Sequence, residues 1–114
     1  MGAIVPFGHH GNVSFTFSSV GKNAPRASGV YGLSNARQWI YVGETADIQT
    51  ALLGHLHNPH AFLREYRPSG FTFELRATGE RIERQNQLVR ELAPVGNRLA
   101  GQLTNLDVTR KGAQ

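Results

Sequence analysis

The sequence contains no cysteine in 114 residues, which excludes disulfides, cysteine-ligated zinc and thiol nucleophiles. It also lacks a long hydrophobic run. Its longest apolar stretches are a few residues, such as Trp39 to Val42, far short of the ~20 that span a bilayer. Met1 to Gly8 has neither a charged start nor an extended apolar stretch, so no secretory signal is expected there. No repeat period and no low-complexity tract appears. Charge of either sign is sparse: 12 Lys and Arg against 8 Asp and Glu, 18% of the chain, for a net +4. That balance permits contact with nucleic acid without requiring it, because binding needs the charge gathered on one face. What remains is a chain 39% hydrophobic, long enough to bury a core unaided. The expectation is one cytoplasmic domain spanning residues 1–114.

The hydrophobic pattern gives an order of elements. After a loose leader over residues 1–12, Val13, Phe15 and Phe17 alternate with Ser14, Thr16 and Ser18, which predicts a strand over 13–18. A turn-rich stretch follows from Gly21 to Ser28. Residues 29–43 form a β-hairpin, with its loop at Ser34 to Arg37. Thr45 or Asp47 then caps a helix whose stripe is Ile48, Leu52 and Leu56. Asn58-Pro59 ends it, and Pro59 starts a short helix to Tyr66. Phe71, Phe73 and Leu75 mark another strand. The longest helix runs from about Glu80 to Leu92, with Ile82, Gln85, Val89 and Leu92 as its stripe and Gln85 as the polar exception. Leu99, Leu103, Leu106 and Val108 punctuate a tail that either wraps the domain or frays. The fold class is α+β, a three-stranded antiparallel sheet flanked by helices, with an extra N-terminal strand.

Gly29-Val30-Tyr31, nine intervening residues and Tyr41-Val42-Gly43 resemble the paired signature of the GIY-YIG nuclease family. Downstream, Thr45 and the helix reaching Leu52 and His55 match the next block. Leu88 to Asn97, with Pro94-Val95-Gly96-Asn97, resembles the closing helix and terminal Pro-x-x-Asn. The resemblance covers residues 28–98, leaving 1–27 and 99–114 as extensions. It implies a site that cleaves phosphodiesters. There, tyrosines take part in proton transfer, an arginine on the first helix stabilises phosphate charge, and a glutamate on the last helix holds a divalent metal.

Carried over position by position, Tyr31 and Tyr41 match the signature tyrosines and His55 a frequent histidine. The arginine position falls on Ala51 and the glutamate position on Gln85. Helical geometry offers no substitute: Glu83 lies roughly 160° from Gln85, and Glu80 and Glu91 are also off that face. Arg81, one turn before Gln85, has the wrong sign for a metal ligand. On the first helix, Asp47, Ala51 and His55 share a face. His55, His57 and His60 do not make a metal site by spacing, because 55 and 57 face different sides and Pro59 intervenes. The basic residues of the second half are interleaved with glutamates, as on a solvated, ion-paired face. Arg64, Arg67 and Arg81 are the candidates for contact with nucleic acid, with Tyr66 and Trp39 as aromatic company if the fold gathers them.

The expectation is therefore a catalytically degenerate domain of this type. It acts by binding DNA, RNA or a protein partner, with no cofactor and no membrane. The alternative is an active nuclease using Mg²⁺ or Mn²⁺ at a rearranged or partner-completed site. A third reading is an interaction module with no role on nucleic acid.

Overall fold

The strand that carries the first tripeptide is buried along its whole length, because both its edges are paired and both its faces are covered. The computed structural model describes residues 13–98, and the leader over 1–12 and the tail over 99–114 lie outside them. The elements are β1 (Val13–Ser14), α1 (Phe17–Asn23), β2 (Gly29–Ser34), β3 (Trp39–Thr45), α2 (Ile48–His57), α3 (Ala61–Tyr66), β4 (Gly70–Leu75) and α4 (Arg81–Leu92). A 3-10 turn at Thr78–Glu80 leads into α4. The sheet is antiparallel with strand order β1-β4-β2-β3. It contains the three expected strands and the extra N-terminal one.

Register decides which side chains meet. Tyr31 lies opposite Gly43 on β3 and Phe73 on β4, Leu33 opposite Tyr41 and Phe71, and Val30 opposite Glu44 and Glu74. Because side chains alternate along a strand, Tyr31, Leu33, Tyr41 and Phe71 share one face, which is covered by Val20 of α1, Ile48 and Leu52 of α2, and Leu63 of α3. Val30 and Val42 point the other way and meet Leu88 of α4, with Trp39, Val89 and Leu92 around them. A register shift between Leu33 and Ser34 leaves Ile40 as the extra residue of β3. Such a bulge re-aims side chains, and here Ile40 joins the tyrosine-side core while Trp39 joins the α4 side.

Three sequence expectations are corrected. The strand predicted over 13–18 is only Val13–Ser14, paired to Phe71 and Gly70. Thr16 instead caps α1, its hydroxyl accepting from the Ser19 N–H at 3.1 Å. A local cap outcompetes an alternation of three aromatic and aliphatic residues, so Phe15 enters the core while Phe17 stays half exposed against His57. The turn-rich stretch correspondingly begins at Ala24 rather than Gly21. Its Pro25 and Ala27 carbonyls accept from the first N–H groups of α2, at Gln49 and Ile48, while Asp47 caps Thr50. On α4 the buried residue is Leu88, and Ile82 faces solvent. At about 100° per residue, Ile82 lies about 120° from Leu88, whereas Arg81 is within about 20° and Gln85 about 60°. Lastly, α3 begins at Ala61 with His60 as its cap residue, two positions after Pro59.

Candidate functional site

The first tyrosine is positioned by two glycines. A Cβ at Gly29 would lie 2.2 Å from the Glu74 carbonyl oxygen, so only glycine lets β2 and β4 approach at that point. A Cβ at Gly43 would lie 2.6 Å from Tyr31 Oη and 2.7 Å from Cζ. The last residue of the second tripeptide is thus the floor over which the Tyr31 ring lies. The hydroxyl, held in that slot, shares a 2.7 Å hydrogen bond with His55 Nε2. α2 supplies His55 because Ile48 and Leu52 anchor its inner face and His55 follows three residues later, one turn on.

Around this pair the fold gathers a set of rings. Tyr41 is 6.2 Å from Tyr31 and 5.5 Å from His55, centroid to centroid. Phe62 lies 5.9 Å from Tyr41, and His60 stacks on Phe62 at 5.6 Å and comes within 6.1 Å of His55. Tyr31, Tyr41 and His55 therefore lie together. Ala51, one turn before His55, packs against the same core and brings no charge. His60 and Phe62 join the cluster without any signal in the sequence, because the Asn58-Pro59 break hides how α3 folds back.

The electrostatics of the cluster oppose ionisation. Burial, then Tyr41 and then Glu44 push the Tyr31 hydroxyl well above the ordinary tyrosine range. Burial and Glu44 also raise Tyr41. Burial, then the neighbouring His60, lowers His55, which favours the neutral ring. Glu44 was missed in the sequence reading. Its only signal is that it directly follows the second tripeptide, where alternation sends it to the α4 side.

Glu44 is occupied there. Arg81 Nε donates to its Oε1 at 2.9 Å, and Arg81 Nη1 donates to the Ser28 hydroxyl at 3.1 Å. The Arg81 side chain is only 16% exposed, so this candidate for nucleic-acid contact is committed inside the protein. Gln85, one turn on, is half-buried, and its side chain makes no hydrogen bond among the described residues. A divalent metal wants anionic oxygens. This corner offers a neutral amide, a carboxylate already paired and a buried guanidinium. The neutral Gln85 amide, standing where the resemblance implies a metal-holding carboxylate, does not fit that metal.

The other arginines separate by face. Glu74, opposite Val30, takes Arg84 Nε at 2.6 Å and Arg76 Nε at 3.0 Å. Burial works to raise the Glu74 carboxyl, but the bonds from Arg84 and Arg76 outweigh it and hold the group low. Arg64 and Arg67 lie on α3 and at its end, on the tyrosine side, in no ion pair among the described residues. The aromatic company expected for them is divided. Tyr66 packs on the tyrosine-side core, whereas Trp39 lies on the opposite face of the sheet.

The terminal Pro-x-x-Asn has a structural role. Asn97 Oδ1 accepts from the Val42 N–H at 2.7 Å and Nδ2 donates to the Val42 carbonyl at 2.8 Å. One side-chain amide thus closes the outer edge of β3 as a fifth strand would, at the strand bearing the second tripeptide. No helix among the described residues is long and apolar enough to cross a membrane.

No protein-family model matches this chain, and neither does any curated protein. Solved structures do match. The GIY-YIG N-terminal endonuclease domain of UvrC from Thermotoga maritima, bound to magnesium as its catalytic divalent cation, superposes with a TM-score of 0.56 at 24% identity, over 68% of this chain and 93% of that one. Two point mutants of the same domain, each bound to its catalytic divalent cation, match with TM-scores of 0.58 and 0.56 at 19% and 22% identity, over 68% of this chain and 92% of theirs.

Proposed function

We propose that this chain, which has the GIY-YIG fold, is a catalytically silent member of that nuclease superfamily and acts by binding nucleic acid. The observation that carries the reading is the charge inventory around an otherwise intact frame. Tyr31, Tyr41 and His55 converge. Ala51 and Gln85 stand where the resemblance implies a cation and a metal-binding carboxylate.

Hydrolysis needs a proton acceptor near neutral pH and positive charge for the phosphate oxygens. Here burial first, with the Glu44 carboxylate adding to it, moves both tyrosine hydroxyls away from the phenolate form. A neutral His55 bonded to a neutral Tyr31 presents a donor and an acceptor without net charge. Such a pair can orient a phosphate or a base and can accept a proton at His55, but it supplies no positive charge to a pentavalent phosphorus. No step is assigned to a metal, because the donors at Gln85 and Glu44 do not suit one.

The intact tyrosine–histidine cluster is also the one feature that favours retained cleavage. On that second reading Glu44 would leave Arg81 to hold Mg²⁺ or Mn²⁺ when substrate or a partner protein draws the guanidinium away. The binding reading is tested by anisotropy titration of labelled single-stranded and duplex DNA and RNA across salt. Affinity is expected to fall steeply from about 50 to 200 mM salt, as phosphate neutralisation requires. No binding of any of these at the lowest salt would overturn it and favour a protein partner.

A further inference from the structure

A small cleft opens beside His55, the hydrogen-bond partner of Tyr31. It encloses about 190 Å³, which is below the size of a pocket for a drug-sized ligand and suits one planar ring system. Phe15, Leu56, Leu63, Pro59 and Pro68 give it an apolar floor, and the His55 ring lines it as well. Phe15 reaches it from the N-terminal segment, outside the stretch covered by the family resemblance, because the Phe15 N–H is tied to the Ser69 carbonyl at 3.0 Å.

The rim is cationic. Arg64 and Arg67 line the cleft, and no carboxylate does. That contrasts with the α4 side, where Arg76, Arg81 and Arg84 are neutralised by Glu44 and Glu74. Arg64 is steadied by a bond from Nη1 to the Pro59 carbonyl at 2.9 Å, which leaves the rest of its guanidinium free to donate. Arg67 ends α3 in the left-handed region at φ 53°, a position glycine occupies with less strain. Local backbone preference does not explain an arginine there, whereas a use for its side chain at the rim does.

We infer that this cleft seats one unstacked nucleotide, the base against the apolar floor and its phosphate on Arg64 and Arg67. The inference rests on nucleic-acid binding by the domain and adds where a single strand would be read. Charge complementarity argues for a phosphate. The flat lining groups (imidazole, two proline rings, two guanidinium planes) suit a base stacked out of its helix. The cleft's charged groups are the Arg64 and Arg67 side chains.

The test is amide-resolved NMR of the full chain titrated with AMP, inorganic phosphate and an apolar dipeptide bearing a free carboxylate. Anisotropy of single-stranded and duplex oligonucleotides is measured alongside, for the native chain and for Arg64→Ala with Arg67→Gly. AMP is expected to shift the amides of residues 55–68 further than phosphate does. The double variant is expected to lose about tenfold or more in single-strand affinity, because both cations that hold the phosphate are gone, and to lose less on duplex. Equal shifts with phosphate, shifts elsewhere, an equal loss on duplex, or tighter seating of the dipeptide would overturn the inference. If AMP seats in the cleft but no oligonucleotide binds at low salt, the cleft stands as a free-nucleotide site and the nucleic-acid reading fails.

Discussion

Replacing Asn97 by alanine removes a clasp without touching the tyrosine cluster. Its amide makes two short hydrogen bonds to one residue, to the Val42 N–H at 2.7 Å and to the Val42 carbonyl at 2.8 Å. Val42 is fully buried, so truncation leaves a donor and an acceptor unsatisfied on the outer edge of β3. Each orphaned group costs about 1–3 kcal/mol, and some of that is recovered as the edge opens to water. The expected loss is about 2–4 kcal/mol, or a fall in Tm of about 10 °C or more for a domain of this size. Urea unfolding and thermal melts by circular dichroism measure it. Asn97→Asp should cost nearly as much, because its second oxygen would face the Val42 carbonyl where an N–H is needed. A loss below about 0.5 kcal/mol for both variants would refute the view that the terminal asparagine serves the edge strand.

Four further outcomes are expected. Gly43→Ala should cost about 1–3 kcal/mol, because the new methyl would meet Tyr31 Oη and Cζ in a slot with no room to repack. Its check is the same unfolding measurement, together with loss of the Tyr31–His55 hydrogen bond by NMR. Arg67→Gly and Ala93→Gly should each stabilise by up to about 1 kcal/mol, since both residues hold positive φ, 53° and 46°, and only Arg67→Gly should weaken binding of a single strand. His55 is lowered in the folded state, so its contribution is complete above its ordinary value of 6.5 and is lost as pH falls through the folded value. Stability should therefore decline as pH falls below 6.5, and His55→Gln should remove that slope. Tyr31 is raised, so its contribution is present below pH 10 and lost above it, which a high-pH melt series with Tyr31→Phe would show.

The frame was readable because the motif residues do local, steric work. Gly29 and Gly43 sit where backbones and a tyrosine ring come too close for any Cβ, and Asn97 matches the geometry of one exposed strand edge. These requirements leave a recognisable spacing in the sequence. Helix caps were readable for the same reason at Asp47. At Thr16 the cap was present in the sequence but hidden beneath an alternation that mimicked a strand.

What depends on tertiary pairing was not readable. Glu44 and Arg81 are 37 positions apart, and nothing local says that one neutralises the other. The α4 stripe was misplaced because Ile82 outranks Leu88 in no property except its position in the helical repeat. His60, Phe62 and the cleft under Arg64 and Arg67 arise from the way α3 turns back onto α2 after Pro59, which the sequence marks only as a break. Phe15 was read as a strand residue and is instead part of that cleft's floor.

The central claim is that the frame has been kept and the chemistry lost. It is tested most directly by single-turnover incubation of excess protein with labelled single-stranded and duplex DNA and RNA in Mg²⁺ and in Mn²⁺, under conditions where binding is seen. The account predicts intact substrate over the whole course, with Tyr31→Phe indistinguishable from the native chain. Metal-dependent cleavage by the native protein that disappears in Tyr31→Phe would contradict it.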